Sequence, residues 1–456
     1  MRCLCTDEDE LHIGGKELSD RTLGPTFETR KETGMKEREL PGMVKVRQIF
    51  EAPSLDNVAR ELKEGIARSG LKERLKANDE VAVTAGSRGI ANIAQITATI
   101  VEELKKLGAR PFIVPAMGSH GGARAEGQIE VLASYGITED SVGAPIRSSM
   151  EVVKVGEIKD HVPVFMDKIS LGSDAIVVVN RIKPHTSFRG PFESGLMKML
   201  AIGLGKHEGA SLVHSFGSKG LREMVPEAAR VMMREANFVL GVGILENAYD
   251  ETARIVVLDP EEFEKEEPHL LEEARDLMPH LPFDDIDILI VDEIGKNISG
   301  TGMDTNIIGR LLIRGEKEFK KPEINKIIVF DVTPSSHGNA MGVGLADITT
   351  RKLVNKIDYQ AMYTNVLTSG FLNRAFVPLT CETDKEAITT AIGTFKGKDP
   401  DRVRVMRIKN TLQIEKLYIS ESLLQEARTR DDIQILGEMK PMKFDTQEHL
   451  IGGDYA

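Results

Sequence analysis

The sequence predicts an α/β fold, because short apolar runs rich in β-branched residues alternate with amphipathic segments of helical length. EVAVTAG (80–86) and RPFIVPAMG (110–118) have the composition of strands. The segment between them, ANIAQITATIVEELKKLGA, has the length and periodicity of a helix. This βαβ order favours a parallel sheet covered by helices. At 456 residues the chain is long enough for more than one hydrophobic core, and two α/β domains are the expected organisation.

The remaining elements continue the same alternation along the chain. We predict further strands in VKVRQIFEAP, VPVFMDKI, DAIVVVNRI, DIDILIVDEIG, NKIIVFDVT and RAFVPLT, and a hairpin in NFVLGVGILEN with ARIVVLDP. Helices are predicted in SLDNVARELKEGIARSGL, which begins at a serine cap and ends at glycine, and in GLMKMLAI and VPEAARVMMREAN. The acidic segment EEFEKEEPHLLEEARDL is predicted as a helix that Pro268 interrupts, leading into a linker.

These patterns divide the chain into three parts. Residues 1–42 are rich in charge, Gly and Thr without a sustained period, which predicts a poorly ordered extension. Residues 43–284 are expected to form an N-terminal α/β domain, and residues 285–456 a C-terminal α/β domain.

Composition excludes several classes of function. A formal net charge of -12 and a pI near 5.5 argue against a nucleic-acid partner. Cys3, Cys5 and Cys381 have no paired CxxC spacing, so neither a disulfide framework nor a zinc knuckle is indicated. No apolar run reaches the roughly 18–20 residues of a membrane span and the N-terminus is polar, so we expect a soluble cytoplasmic protein that acts on a small molecule, with no membrane partner.

Polar residues collect where predicted strands end, which is the ligand-binding edge of an open α/β sheet. The four loops concerned are AGSRGIAN with Ser87 and Arg88, GSHGGA with Gly118, Ser119 and His120, KPHTSFRGPFESG with Lys183, His185 and Arg189, and KNISGTGMD with Lys296 and Asn297. Each alone is compatible with an ordinary tight turn or a solvated histidine. Together they offer backbone N–H groups for an anion and imidazoles for proton transfer.

Lys198 and His214 add a second set of candidates. Apolar residues surround Lys198 in GLMKML. Such a lysine either extends its amine to water or, when desolvated, acquires a lowered pKa and becomes available for covalent chemistry. His207 and His214 are seven residues apart, two helical turns, and a neutral imidazole there suits a borderline transition metal.

At these residues the chain resembles the nickel-dependent lactate racemase family, from about Val44 through the C-terminal region. The resemblance implies two α/β domains with a cofactor cleft between them. It also implies a nickel pincer nucleotide, a nicotinate-derived mononucleotide that binds nickel through two sulfurs and one ring carbon. The family pattern places one histidine in a Gly-rich turn and a second after Pro. A lysine that forms a thioamide with the cofactor follows, and a third histidine lies sixteen residues beyond it.

This pattern is found in GSHGG, KPHTSF, GLMKML and SLVHS, with His214 sixteen residues after Lys198. The resemblance implies His214 as nickel ligand, Lys198 as covalent anchor, and His120 with His185 as the acid/base pair. It further implies Arg88 and Lys296 as substrate contacts. Ser87, Arg88, Gly118 and Ser119 are expected to contact the cofactor, and Asn297 the substrate. Enzymes that make the cofactor are the implied protein partners.

The implied reaction inverts C2 of a 2-hydroxy acid by hydride transfer to and from the pincer nucleotide. The chain lacks Trp, and IGKNISGTGMD has no aromatic residue, which differs from the lactate-specific pattern. Polar residues in the nearby loops predict a sugar acid or dicarboxylic substrate instead of lactate: Asn297, Ser299, Thr301, Asn306, His337 and Asn339.

Two other classes of function remain open from the residues. One is a zinc hydrolase with a site built from His120, His185 and His214. The other is a non-catalytic nucleotide-binding protein in which Lys198 contacts phosphate. A conventional NAD-dependent dehydrogenase is disfavoured because no GxGxxG follows a strand and opens a helix with a suitably spaced acidic residue.

Overall fold

A computed structural model describes residues 40–455 of the chain. The predicted extension over residues 1–42 therefore lies almost entirely outside the described residues. Leu40–Ala456 forms one compact unit. Within its described part, no helix combines the length and apolar character needed to cross a membrane.

Helices and strands alternate along the chain, so the predicted α/β class is confirmed. The strands are β1 Met43–Gln48, β2 Glu80–Ala85, β3 Arg110–Pro115, β4 Val152–Ile158, β5 Val162–Asp167, β6 Ala175–Arg181, β7 Phe238–Glu246, β8 Thr252–Leu258, β9 Asp285–Ile294, β10 Glu323–Val332, β11 Ile348–Thr350, β12 Leu379–Cys381, β13 Val405–Ile408, β14 Lys416–Ser420, β15 Ile433–Ile435, β16 Lys443–Phe444 and β17 Leu450–Ile451.

The α-helices are α1 Val58–Arg68, α2 Leu71–Arg74, α3 Ile93–Lys106, α4 Ala125–Ser134, α5 Glu139–Val142, α6 Lys168–Leu171, α7 Leu196–Lys198, α8 Lys206–Ser215, α9 Gly217–Lys219, α10 Val225–Glu235, α11 Phe263–Leu277, α12 Thr305–Ile308, α13 Arg351–Val354, α14 Tyr359–Ser369, α15 Asp384–Gly393 and α16 Glu421–Ala427. Two π-helical segments, Met199–Leu204 and Gly220–Met224, join α7 to α8 and α9 to α10.

The first sheet has five strands in the order β3-β2-β6-β7-β8. Its strands are parallel except β8, which pairs antiparallel with β7 as the predicted hairpin. Successive residues of the central strands pack on opposite faces, so Val177 and Val178 belong to different hydrophobic clusters. Both faces of this sheet are therefore buried, as a helix-covered parallel sheet requires.

The second sheet has eight strands in the order β12-β11-β10-β9-β13-β14-β1-β15. Strands β9 to β13 are paired in parallel, whereas β14, β1 and β15 extend the sheet in antiparallel pairs. β1, the first described strand, thus belongs to the second sheet. The strands of the second sheet therefore come both before and after those of the first sheet in the sequence. Division into domains at residues 284 and 285 stays a prediction.

Three details of the predicted elements are wrong. Helix α1 is capped by Asn57, whose side chain accepts a hydrogen bond from the backbone of Arg60 at 2.9 Å, and not by Ser54. Pro268 does not interrupt α11, which runs through it. In RAFVPLT only the final residues enter a strand, because a short 3₁₀ turn at Leu372–Ala375 occupies the segment before it.

Candidate active site at the strand ends

Three of the predicted loops lie at one edge of the first sheet. They follow β2, β3 and β6, which are adjacent and parallel, so their carboxyl ends point the same way. The loop after β9 of the second sheet carries Lys296 to the same place. A methyl group built on Gly300 would lie 3.3 Å from the guanidinium of Arg88. The cleft is therefore formed by loops of both sheets.

The loop that carries His120 requires glycine for packing. A Cβ on Gly127 would lie 2.0 Å from the carbonyl oxygen of Gly121. Gly118 has φ of 58° and a Cβ there would lie 3.2 Å from Ala210 in α8. The backbone contact leaves no room for a side chain on Gly127, and the positive φ of Gly118 favours glycine there. The turn therefore packs closely against both α4 and α8, and His120 within it is exposed.

The loop that carries His185 is held by a buried carboxylate. Glu193 accepts hydrogen bonds from the backbone N–H of His185 at 2.7 Å and of Gly190 at 3.0 Å. Arg275 of α11 and Arg189 approach the same carboxylate at 2.6 and 3.3 Å. Glu193 thus binds the loop to itself and to α11, and we regard it as a positioning residue.

Lys198 and His214 lie on either side of a helical irregularity. Lys198 ends α7, a π-helical segment follows, and α8 carries His214 in its last turn. The backbone N–H of Met197 donates to Glu267 of α11 at 2.9 Å, which anchors the start of α7. Single π-helical turns within helices are frequent at functional sites, because the widened turn redirects side chains.

The candidate side chains are close enough to perturb one another electrostatically. Lys198 is half-buried and densely surrounded by protein atoms; burial, with Arg88 and Lys183 nearby, lowers its pKa to about 7. Burial and the neighbouring cation Lys198 lower the pKa of His214 to about 4. These effects favour a neutral amine beside a neutral imidazole.

The two remaining histidines have lowered pKa values for the same reasons. Desolvation, Arg88 and Lys198 lower the pKa of His120 to about 4, although its ring keeps exposed surface toward the cleft. Desolvation, Lys198 and His214 hold the pKa of His185 well below its ordinary value. The structure therefore brings all four residues of the sequence pattern into one electropositive cleft.

Lys296 completes the cationic lining from the second sheet. Burial and Arg88 lower its pKa to about 8, and its Nζ donates to the carbonyl oxygen of Gly300 at 2.6 Å. The exposed Asn297 accepts a hydrogen bond from Thr333 at 2.6 Å. Arg189 donates to Asn306 at 2.6 Å, which also joins the His185 loop to the second sheet.

Some predicted polar residues have other contacts. Ser299 and Thr301 are buried and hydrogen-bond each other at 3.2 Å, so they stabilise their own loop. His207 is exposed and its ring lies 3.4 Å from the hydroxyl of Ser211. Tyr135 donates a hydrogen bond to the backbone oxygen of Ser87 at 2.9 Å, so this contact does not involve the Ser87 hydroxyl.

Sequence reasoning missed two residues that support the site. Lys206 is fully buried, and its Nζ lies 2.5 Å from the carbonyl oxygen of Pro115 and 3.4 Å from the carboxylate of Asp167. Its amine is also 3.4 Å from Gln128, whose amide donates to the backbone oxygen of His120 at 3.3 Å. The glycines around it in GLGKHEG resemble an exposed turn, so nothing in the sequence marked this lysine as buried.

Glu267 is the second such residue. It is buried, one carboxylate oxygen has no hydrogen-bond partner among the described residues, and burial raises its pKa to about 7. A Cβ on Gly195 would lie 2.4 Å from this oxygen. The glycine that precedes α7 therefore makes room for the carboxylate.

A family model matches the part of the chain that carries most of these residues. Residues 28–222 match a family model described as the lactate racemase N-terminal domain. The matched range includes Arg88, His120, His185, Lys198 and His214.

The other comparisons concern whole chains. The structure is similar to the lactate racemase apoprotein from Thermoanaerobacterium thermosaccharolyticum, with a TM-score of 0.48 and 13% identity over 81% of this chain and 98% of that chain. No curated protein matches the chain significantly.

The lowered pKa of Lys198 predicts selective acylation. A lysine of ordinary basicity is protonated at neutral pH, whereas an amine with a pKa of about 7 is half deprotonated there. Labelling with a small acylating reagent, mapped by peptide mass spectrometry, should show the rate at Lys198 rising through about pH 7 and levelling above it. The rate at Lys296 should level about one unit higher. A rate at Lys198 that keeps rising toward pH 10 would contradict this prediction.

Proposed function

We propose that the protein is a racemase or epimerase that inverts C2 of a 2-hydroxy acid with a nickel pincer nucleotide as hydride acceptor and donor. The main support for this proposal is that four side chains lie in one electropositive cleft: Lys198, His214, His120 and His185. The match of residues 28–222 to the lactate racemase N-terminal domain supports the same class of isomerase.

The residues present fit such a cofactor. A pincer group supplies three of the donors to its own metal, so the protein needs to add only one. Within residues 40–455 there is no group of three His, Cys, Asp or Glu side chains that could hold a metal ion by themselves. His214, kept neutral by burial and Lys198, would offer an imidazole nitrogen to the metal of such a group. A zinc hydrolase that needs three protein ligands has no such support.

The cationic lining suits the anionic parts of the cofactor and substrate. Burial lowers the pKa values of both Arg88 and Lys296, and Arg88 is near enough to lower that of Lys296 further. A bound carboxylate would relieve the repulsion between them and receive hydrogen bonds from both. We propose that they orient the substrate, with Asn297 at the open side. Ser87, Gly118 and Ser119 would line the cofactor.

The bound nucleotide would supply the two-electron chemistry that a hydroxy-acid C–H bond requires. The chain supplies the remaining functions. Lys198, with an amine of lowered pKa, is suited to a covalent thioamide link. His120 and His185 would handle the hydroxyl proton on opposite sides of the substrate. Enzymes that synthesise the cofactor would be needed for loading.

We propose a substrate more polar than lactate, a sugar acid or a dicarboxylic hydroxy acid. Support comes from the cleft side of the second sheet, where Asn297 is exposed and Asn306 and Asn339 are partly open. The chain has no Trp that could narrow the site. A panel of sugar acids, malate and lactate, followed by chiral chromatography, distinguishes these substrates. Activity confined to lactate would contradict this part of the proposal.

The decisive experiment is intact-protein mass after co-expression with the cofactor-making enzymes. We expect a mass gain on the full chain, nickel by elemental analysis, and loss of the covalent gain in Lys198→Ala. His214→Ala should retain the organic mass gain and hold less nickel than the wild-type protein. Lys219→Ala, on an exposed lysine, is the matched control and should load normally. Zinc in place of nickel, with no organic adduct, would refute the proposal.

A further inference from the structure

The ring of His185 is fixed by a hydrogen bond within its own loop. The backbone N–H of Ser187 donates to Nδ1 of His185 at 3.1 Å. The ring also packs against Phe188, with ring centroids 4.7 Å apart. A nitrogen that accepts an N–H hydrogen bond carries a lone pair and no proton. The neutral imidazole therefore has its proton on Nε2, at the opposite edge of the ring.

The surroundings keep this ring from gaining a second proton. The charged groups that act on it are Lys198 of α7, His214 of α8, and Lys183 and Arg189 of its own loop. A proton on Nδ1 would also point at the N–H of Ser187, a residue that is only 4% exposed. Glu193 accepts a hydrogen bond from the backbone N–H of His185. At that contact its carboxylate therefore pairs with the backbone and not with the imidazole ring.

The other histidine is not constrained in this way. Among the described residues, neither ring nitrogen of His120 has a hydrogen-bond partner, and the contact from Gln128 is to its backbone oxygen. Arg88, Lys198 and Lys296 disfavour its protonation in the absence of substrate. A bound carboxylate adds the negative charge that these groups lack, and so makes His120 a stronger base when substrate is present.

We infer that the two histidines have unequal roles: His185 is a fixed Nε2–H donor to the oxygen on C2, and His120 alone takes and returns the hydroxyl proton. This inference rests on the proposed function and refines its acid/base pair. The O–H bond breaks as its proton moves to His120, and the same proton returns to oxygen when the bond reforms. His185 loses no proton, and its hydrogen bond stabilises charge on the oxygen.

The tautomer can be tested without cofactor. We expect ¹⁵N-histidine NMR of the full-length apoprotein to show His185 with a protonated Nε2 and an unprotonated Nδ1 between about pH 5 and 8. His185→Gln assigns the signals. Ser187→Ala removes only the hydroxyl and keeps the backbone donor, so it should leave the tautomer unchanged. A protonated Nδ1 in the wild-type protein overturns the inference whether or not the protein is a racemase.

Matched variants test the roles in the loaded enzyme. The amide nitrogen of glutamine can donate from the position of Nε2 but cannot take a proton. His185→Gln should therefore keep kcat within about tenfold of wild type, since one hydrogen bond is weakened. His185→Leu should lose more, and His120→Gln should lose about 10²–10⁴-fold. Equal losses in two folded glutamine variants would overturn the inference. A wild-type protein that loads nickel but inverts no 2-hydroxy acid would instead refute the proposed function, while the tautomer is judged by NMR.

Discussion

Lys206→Met should lower the free energy of unfolding by about 3–5 kcal/mol, because it leaves a buried carboxylate without its cation. Lys206 and Asp167 are both fully buried, and their charged atoms lie 3.4 Å apart. The same amine donates to the carbonyl oxygen of Pro115 at the end of β3. Urea denaturation followed by circular dichroism measures the loss, with an unchanged m-value showing that the unfolded surface is the same.

Two controls separate the buried charge from the lost side chain. Lys219→Met changes a lysine whose side chain is 76% exposed, and should alter stability by less than about 0.5 kcal/mol. Lys206→Met combined with Asp167→Asn removes the uncompensated charge and should recover part of the loss. A single-variant loss below about 1 kcal/mol would show that this ion pair does not stabilise the fold.

Glu193→Gln should lower the free energy of unfolding by about 3 kcal/mol and also impair the site, because four hydrogen bonds converge on this carboxylate. The amide would present N–H groups to donors, and it would remove the carboxylate that pairs with Arg189 and one of the two that pair with Arg275. The His185 loop would then lose its attachment to α11. Denaturant titration gives the stability, and kcat of the loaded enzyme reports the displaced His185.

Glu272→Gln is the matched control for this variant. Glu272 also pairs with Arg275, but its side chain is 70% exposed, so its removal should cost less than about 1 kcal/mol. If both variants lose the same small amount, Glu193 is not the anchor of the loop. If Glu193→Gln loses stability but keeps the wild-type kcat, the loop is held elsewhere.

The parts of the fold that are local in sequence could be predicted. Apolar runs rich in β-branched residues predicted the strands of the first sheet. The loops that follow neighbouring parallel strands lie at one edge of a sheet, so Arg88, His120 and His185 were expected to lie close together. The spacing of Lys198 and His214 predicted their proximity only through the family resemblance. The π-helical segment between them has no local sequence signal that distinguishes it from an α-helix.

The supporting contacts could not be predicted because they join distant segments. Glu267 lies 70 residues beyond the backbone N–H of Met197 that it binds, in an acidic helix that was predicted only to lead into a linker. Lys206 lies among glycines whose pattern indicates a turn. In both cases a charged residue is buried because tertiary contacts supply its partners, and a pattern of polar and apolar residues cannot show that.

The position of β1 has a consequence for synthesis of the chain. Met43 pairs with Ser420 and Val46 with Ile435, so this strand finds its partners only after nearly the whole polypeptide has left the ribosome. The first sheet draws its strands from residues 80–258 and has all of them much earlier. During translation β1 therefore lacks its partner strands while all strands of the first sheet are already available. Final closure of the second sheet depends on contacts across a very long stretch of sequence, which is a slow kind of step.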